Sequence, residues 1–136
     1  MKKEENKNPF RIFFVDSGFE VWAGKNSDNN DLLSTEYCAP YDLWFHARGA
    51  GGSHVVLKES EILGDFTKKA IQEAAQIAAY YSKMRNASRV QVAFTFSKFV
   101  KKPKGVPSGT VYIEHEKLIN VKPALPKIKE ESKNDK

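Results

Sequence analysis

Between Asp42 and Lys58 apolar and polar residues alternate in two runs. Leu43, Phe45 and Ala47 interleave with Asp42, Trp44, His46 and Arg48; after Gly49-Ala50-Gly51-Gly52-Ser53, Val55 and Leu57 interleave with His54, Val56 and Lys58. A period of two is the pattern of a half-buried strand, so the segment reads as two strands joined by a glycine-rich loop. The glycines supply the positive φ and close backbone approach that such a loop needs. If the hairpin is symmetric about Ala50, His46 lies opposite His54, Arg48 opposite Gly52, and Asp42 opposite Lys58. Opposed side chains share a face, and one face would then carry Trp44, His46, Arg48 and His54 together.

The flanking pattern predicts the remaining elements. Ile12-Phe13-Phe14-Val15 reads as a strand, Ser17-Gly18 as a turn and Phe19–Ala23 as a returning strand. Gly24–Asp31 reads as a polar loop that caps a short helix over Leu32–Cys38, closed by Pro40. The longest helical stretch is Phe66–Met84, with Asp65 as its N-cap and Phe66, Ala70, Ala74, Ile77, Ala78 and Tyr81 on one apolar face. Val90, Val92, Phe94 and Phe96 form another strand, whose phase slips near Ser97-Lys98 in a bulge or break. Thr110–Glu114 and Leu118–Val121 close with two short strands. The expected fold is α+β: a mixed, largely antiparallel sheet with one long and one short helix, in two layers. Residues 1–9 read as a disordered tail, 10–122 as the folded domain, and 123–136 as a proline- and charge-rich tail.

At 136 residues, with 40% apolar and 29% charged side chains, the chain suits one soluble domain. No apolar run approaches the roughly 20 residues of a membrane span, and Met1–Asn8 lacks the apolar core of a signal peptide. Cys38 is alone, which excludes an internal disulfide and fits a reducing cytoplasm.

Charge changes the picture most. The net +5 is uneven: residues 1–82 carry −3, residues 105–136 carry +1, and residues 83–104 carry +7 with no acid at all. Lys83, Arg85, Arg89, Lys98, Lys101, Lys102 and Lys104 make that block a candidate phosphate-binding surface. Tyr80, Tyr81, Phe94, Phe96 and Phe99 interleave with it and could stack on unpaired bases, although Phe94 and Phe96 read better as core. Some of the cations have a plainer use, since positive charge complements the carbonyl end of a helix.

The segments Asp-Leu-Trp-Phe-His (42–46) and Gly-Ser-His-Val-Val (52–56) resemble the signature of the NFACT RNA-binding domain, found at the C-terminal end of RqcH and fibronectin-binding-like proteins of ribosome-associated quality control. Ser17-Gly18, Gly24-Lys25-Asn26, Asn30-Asp31, the Ala74–Ser82 helix and Val100-Lys101-Lys102 with Gly105, Pro107 and Gly109 extend the resemblance over about residues 10–122. Gly51 departs from it, standing where the family often has proline. The resemblance implies an RNA-binding module acting on tRNA or rRNA, with the ribosome as a partner to expect, and with no cofactor and no membrane. The peptide-tailing activity of the larger proteins does not carry over, because their N-terminal domain and coiled coil have no counterpart in this sequence.

The candidate RNA contacts are therefore Lys25 and Asn26 in the first polar loop, Trp44, His46, Arg48 and His54 on the hairpin, and the seven cations of the basic block. His46 and His54 could instead bind a metal, but two ligands fall short of a four-coordinate site. They could also serve acid-base chemistry with Asp42, which makes a small metal-dependent or histidine-using hydrolase the alternative function. No nucleophile paired with a base stands out, and the glycine loop lacks the lysine-serine ending of a P-loop.

Overall fold

The structure, a computed structural model, describes residues 8–126. Eight strands and two helices follow one another as β1 (Arg11–Phe14), β2 (Glu20–Ala23), α1 (Ser27–Glu36), β3 (Leu43–Ala47), β4 (Val55–Leu57), α2 (Lys68–Tyr80), β5 (Val90–Phe96), β6 (Val100–Lys101), β7 (Tyr112–Ile113) and β8 (Lys117–Val121). Six strands form one sheet in the order β1-β2-β4-β3-β5-β8, and β6 pairs with β7 in a separate hairpin. Every pairing is antiparallel. The α+β class, the largely antiparallel sheet and the long and short helices are as expected.

The hairpin register places Leu43 opposite Leu57 and Phe45 opposite Val55, which is the symmetry about Ala50. It follows from the parity of the apolar positions. Leu43, Phe45, Ala47, Val55 and Leu57 all face α2 and are at most 6% exposed. A one-residue slip would turn all of them to the other face. On α2 the alanines Ala70, Ala74 and Ala78 are fully buried and let its axis lie close to the sheet. Each large side chain buried in this core contributes roughly 1.5–3 kcal/mol by leaving water.

Both helices begin elsewhere than the periodicity predicts. α1 starts at Ser27 because Asn26 is its N-cap: the Asn26 carboxamide accepts the Asn29 N–H at 2.8 Å, and Asn29 accepts the Lys25 N–H at 2.9 Å. The Asn/Asp cluster, read as a loop, is thus the helix's first turn. α2 is capped by Thr67 rather than Asp65, with Thr67 Oγ1 accepting the Ala70 N–H at 3.0 Å and donating to Asp16 at 2.7 Å. The helix stops at Tyr80 because the next residues dock on the glycine loop. Ser53 N–H donates to the Tyr81 carbonyl, and Lys83 N–H to that of Gly51. The phase slip after Phe96 is a single helical turn over Ser97–Phe99.

α1 and the β6–β7 hairpin build a second core on the face away from α2. Phe10, Leu33, Trp44 and Val56 are its buried members, and Trp22, Leu32, Val100 and Ile113 pack against it. At the C-terminal side order continues past the predicted boundary. Leu125 packs on the main core and the Ala124 N–H reaches the Gln76 carbonyl. The rest of the two predicted tails, residues 1–7 and 127–136, lies outside the described residues.

Candidate nucleic-acid interface

The four hairpin residues do share a face, but they do not form one open surface. Trp44 and His54 are only 3% and 2% exposed. α1 lies over them, and Ser34 joins the two rings: the Trp44 indole N–H donates to Ser34 Oγ at 2.9 Å, and Ser34 Oγ lies 2.8 Å from His54 Nδ1. With its oxygen accepting the indole N–H, the Ser34 hydroxyl donates its own hydrogen bond to Nδ1, which sets the tautomer with hydrogen on Nε2. Asn30, buried on the same helix, accepts the His54 N–H at 3.1 Å. Trp44 and His54 thus belong to the second core, and neither offers a ring face to a base. Alternation along a strand reveals parity. It does not reveal which face a remote helix covers.

His46 is partly exposed and stands edge-on to His54, with ring centroids 5.4 Å apart. Burial pushes the pKa of His46 below the usual imidazole range. Burial, and then the charge His46 would carry, lower that of His54 to about 4. Both rings are therefore neutral at neutral pH and bring no positive charge to a phosphate there. No cluster of three or more His, Cys, Asp or Glu side chains suited to a metal occurs among the described residues. Cys38 donates to the Ser34 carbonyl, and burial raises its pKa, keeping it a thiol.

The fold divides the basic block. Lys83, Arg85 and Arg89 lie at the glycine-loop end of the sheet, where Lys25 and Arg48 also lie. The seven residues of β5, roughly 20 Å of strand, separate them from Lys98. At the glycine-loop end the local bonds are explicit. The Ser53 hydroxyl donates to the Gly24 carbonyl at 2.6 Å, the Lys83 N–H to the Gly51 carbonyl at 2.9 Å, and the Arg48 N–H to the Gln91 carbonyl at 2.9 Å. Asn26 is spent as a helix cap, whereas the Lys25 side chain is exposed beside it. Arg85 stacks on Tyr80 at 4.2 Å and donates to its carbonyl, the role expected of a cation at a helix end. Among the described residues, Lys25, Lys83, Arg85 and Arg89 form no ion pair with a carboxylate, while Arg48 pairs with Glu116 at 3.0 Å.

At the other end Lys98 sits 4.3 Å over the Tyr41 ring and 5.2 Å from that of Phe99. Lys101 and Lys104 are exposed. Lys102 is not free: it donates to the carbonyls of Pro107 and Thr110 at 2.7 and 3.0 Å and lies 3.3 Å from Asp31. It holds the 102–110 loop onto α1 at Asp31. A groove of about 620 Å³ opens between this end of β5 and the start of α2, lined by Tyr41, Phe66, Phe94, Phe96 and Phe99 among others. Phe96, expected in the core, is 38% exposed there. Glu59 and Asp65 also line the groove, which makes it a poor neighbour for phosphate.

The chain is thus an α+β domain with a group of cations around a glycine loop, four of which form no ion pair among the described residues. Over residues 9–115 it matches the family described as the NFACT protein RNA binding domain, and it belongs to that family. It is 37% identical over 123 residues to the Rqc2 homolog RqcH of Bacillus subtilis (strain 168), covering 90% of this chain and 21% of that protein. It is 35% identical over 128 residues to the Rqc2 homolog RqcH of Streptococcus suis (strain 05ZYH33), covering 94% and 23%. The chain therefore spans between a fifth and a quarter of the length of these curated relatives. The solved C-terminal part of the fibronectin/fibrinogen-binding protein from Streptococcus suis superposes with a TM-score of 0.82 at 32% identity, over 95% of this chain and 51% of that one.

Proposed function

We propose that this domain binds RNA, with tRNA or rRNA as the natural ligand, in the cytoplasm and in the service of translation or ribosome-associated quality control. The observation that carries this reading is the group Lys25, Lys83, Arg85 and Arg89 around the glycine loop, none of them ion-paired among the described residues, in a member of an RNA-binding-domain family. Cations held by a rigid scaffold and left without acids release counterions when they meet a phosphate backbone, which drives binding and makes it salt-dependent. The names of the relatives support the quality-control setting, and the single free thiol suits the cytoplasm. Action by binding rather than hydrolysis is part of the proposal, because Ser34 occupies the ring nitrogen through which His54 would serve as a base.

The test is RNA affinity as a function of salt for the whole chain and for Lys83→Ala/Arg85→Ala/Arg89→Ala. The variant should bind more weakly, and its slope of log affinity against log salt should flatten by up to about two units, the share of three single-strand phosphate contacts. An unchanged slope moves the interface elsewhere. A wild-type chain that binds no RNA at any salt overturns the function.

A further inference from the structure

The face of the sheet away from α2 is covered over only half its width. The strand registers set out its rows. Trp44 pairs with Thr95. His46 pairs with Ala93 and Ala93 with Leu118. One step past the end of β3, the Arg48 N–H bonds the Gln91 carbonyl, and Gln91 pairs with Asn120. Alternation puts Arg48, Gln91 and Asn120 on the same face as His46 and Leu118. α1 and the β6–β7 hairpin cover the Trp44 side. Toward β8 the face opens: Leu118 is 47% exposed, and Gln91, Asn120 and Arg48 are exposed as well.

We propose that this open half-face, with Arg48, Gln91 and Asn120 in one row and His46 and Leu118 in the next, receives an unpaired base of single-stranded RNA. The proposal rests on the RNA-binding reading and assigns the place where sequence would be sensed. Phosphate contacts position a nucleic acid, and contacts to base edges specify it. The unpaired cations can do the first. The row can do the second, because adjacent strands lie about 4.8 Å apart and set a guanidinium and two carboxamides side by side, with donors and acceptors facing solvent. His46 and Leu118 give the neighbouring row a ring and an apolar body. Arg89 immediately precedes β5, so a phosphate held there has its own base within reach of Gln91. Paired bases turn their edges inward, so such a row selects single strands. Isolated Leu118 is too little apolar surface for a peptide groove.

Glu116 adds a consequence of its own. Its carboxylate lies 3.0 Å from Arg48 Nη1 and takes one of the N–H donors a base or phosphate would use. The carboxylate competes with RNA for that donor and repels its phosphates, so Glu116→Gln should tighten single-strand binding.

The experiment measures the whole chain, Gln91→Ala/Asn120→Ala and Glu116→Gln against short single strands of A, C, G or U and against a duplex. The expected result for the double variant is a loss of about tenfold on the preferred single strand, the scale of one lost base-edge contact, with its duplex affinity and salt slope retained. Glu116→Gln should gain affinity on single strands. The proposal is overturned if the double variant keeps the wild-type preference among strands, or if it loses single strand and duplex equally. Its failure is separate from that of the RNA-binding reading, which fails only if the wild-type chain binds neither.

Discussion

His46 and His54 face each other across the β3–β4 hairpin with ring centroids 5.4 Å apart and planes at 85°, so protonation of either opposes protonation of the other. His54 takes up its proton near pH 4 in the folded chain and at about 6.5 when unfolded. Between those values the unfolded state binds more protons, so stability is complete above about pH 6.5 and is lost as pH falls toward 4. The loss attributable to His54 is on the order of 3 kcal/mol. Melting temperatures between pH 7.5 and 4.5 should fall more steeply for the wild type than for His54→Gln. Parallel curves would mean that the ring is hydrated in the folded state.

Asp42 is a second point where the hairpin makes a specific demand. Its carboxylate is fully buried and accepts from Lys58 Nζ at 2.6 Å, the Ala39 N–H at 2.7 Å and the Glu59 N–H at 2.8 Å. Asp42→Ala strands the Ala39 and Glu59 N–H donors, leaves Lys58 with the Tyr37 carbonyl as acceptor, and should cost about 3–5 kcal/mol in urea unfolding. Lys58→Ala should cost less, because the two N–H donors still serve the carboxylate, although the 4.4 Å contact of the ammonium with Trp22 is lost. The reverse order would place the main stabilisation in the cation–ring contact.

The glycine loop can be probed one position at a time. A Cβ on Gly52 would fall 2.8 Å from Ser82 Cα and 2.9 Å from the Tyr81 carbonyl oxygen, both backbone atoms that cannot swing aside. A Cβ on Gly51 would meet only the flexible Lys83 side chain, at 3.4 Å or more. Gly52→Ala should therefore destabilise by about 1–3 kcal/mol and separate the loop from the end of α2, while Gly51→Ala should stay within about 1 kcal/mol of wild type. Equal midpoints for the two variants would show that the loop does not dock on α2 in solution.

These contrasts also mark what the residue pattern could reveal. The hairpin register was legible because apolar parity on two strands and a central glycine loop agree on the same pairing, and Asp42 opposite Lys58 followed from it. The start of α1 was not, since Ser27–Asp31 has no apolar period and its helicity depends on a carboxamide cap and a docked loop. The burial of Trp44 and His54 was hidden for the same reason: Ser34 and Asn30 are polar residues buried on a helix that the pattern did not extend far enough. A run of cations reads as one patch in one dimension, yet β5 divides it in two. Gln91 alternates with the apolar positions of its strand, but only the β5–β8 register makes it a neighbour of Asn120.

Lys102 shows how a single side chain can confound a test of the basic loop. Lys101, Lys102 and Lys104 look equivalent in sequence, and replacing all three would combine two effects. Lys102 Nζ bonds two carbonyls of its own loop and pairs with Asp31, which in turn accepts the Gly109 N–H at 3.0 Å, and Ser108 donates to Asp28. Lys102→Ala leaves those carbonyls and Asp31 without their donor and should cost about 1–2 kcal/mol, most of it in loosening the 102–110 loop from α1. Lys101→Ala and Lys104→Ala, at exposed positions, should leave the unfolding midpoint within about 0.5 kcal/mol. Hydrogen exchange resolved by segment, together with urea midpoints for the three single variants, separates the cases. Faster exchange across residues 105–110 in Lys102→Ala alone is the expected outcome. Equal exchange in all three would mean that Lys102 is a solvated lysine like its neighbours, and its place among the candidate phosphate contacts would be restored.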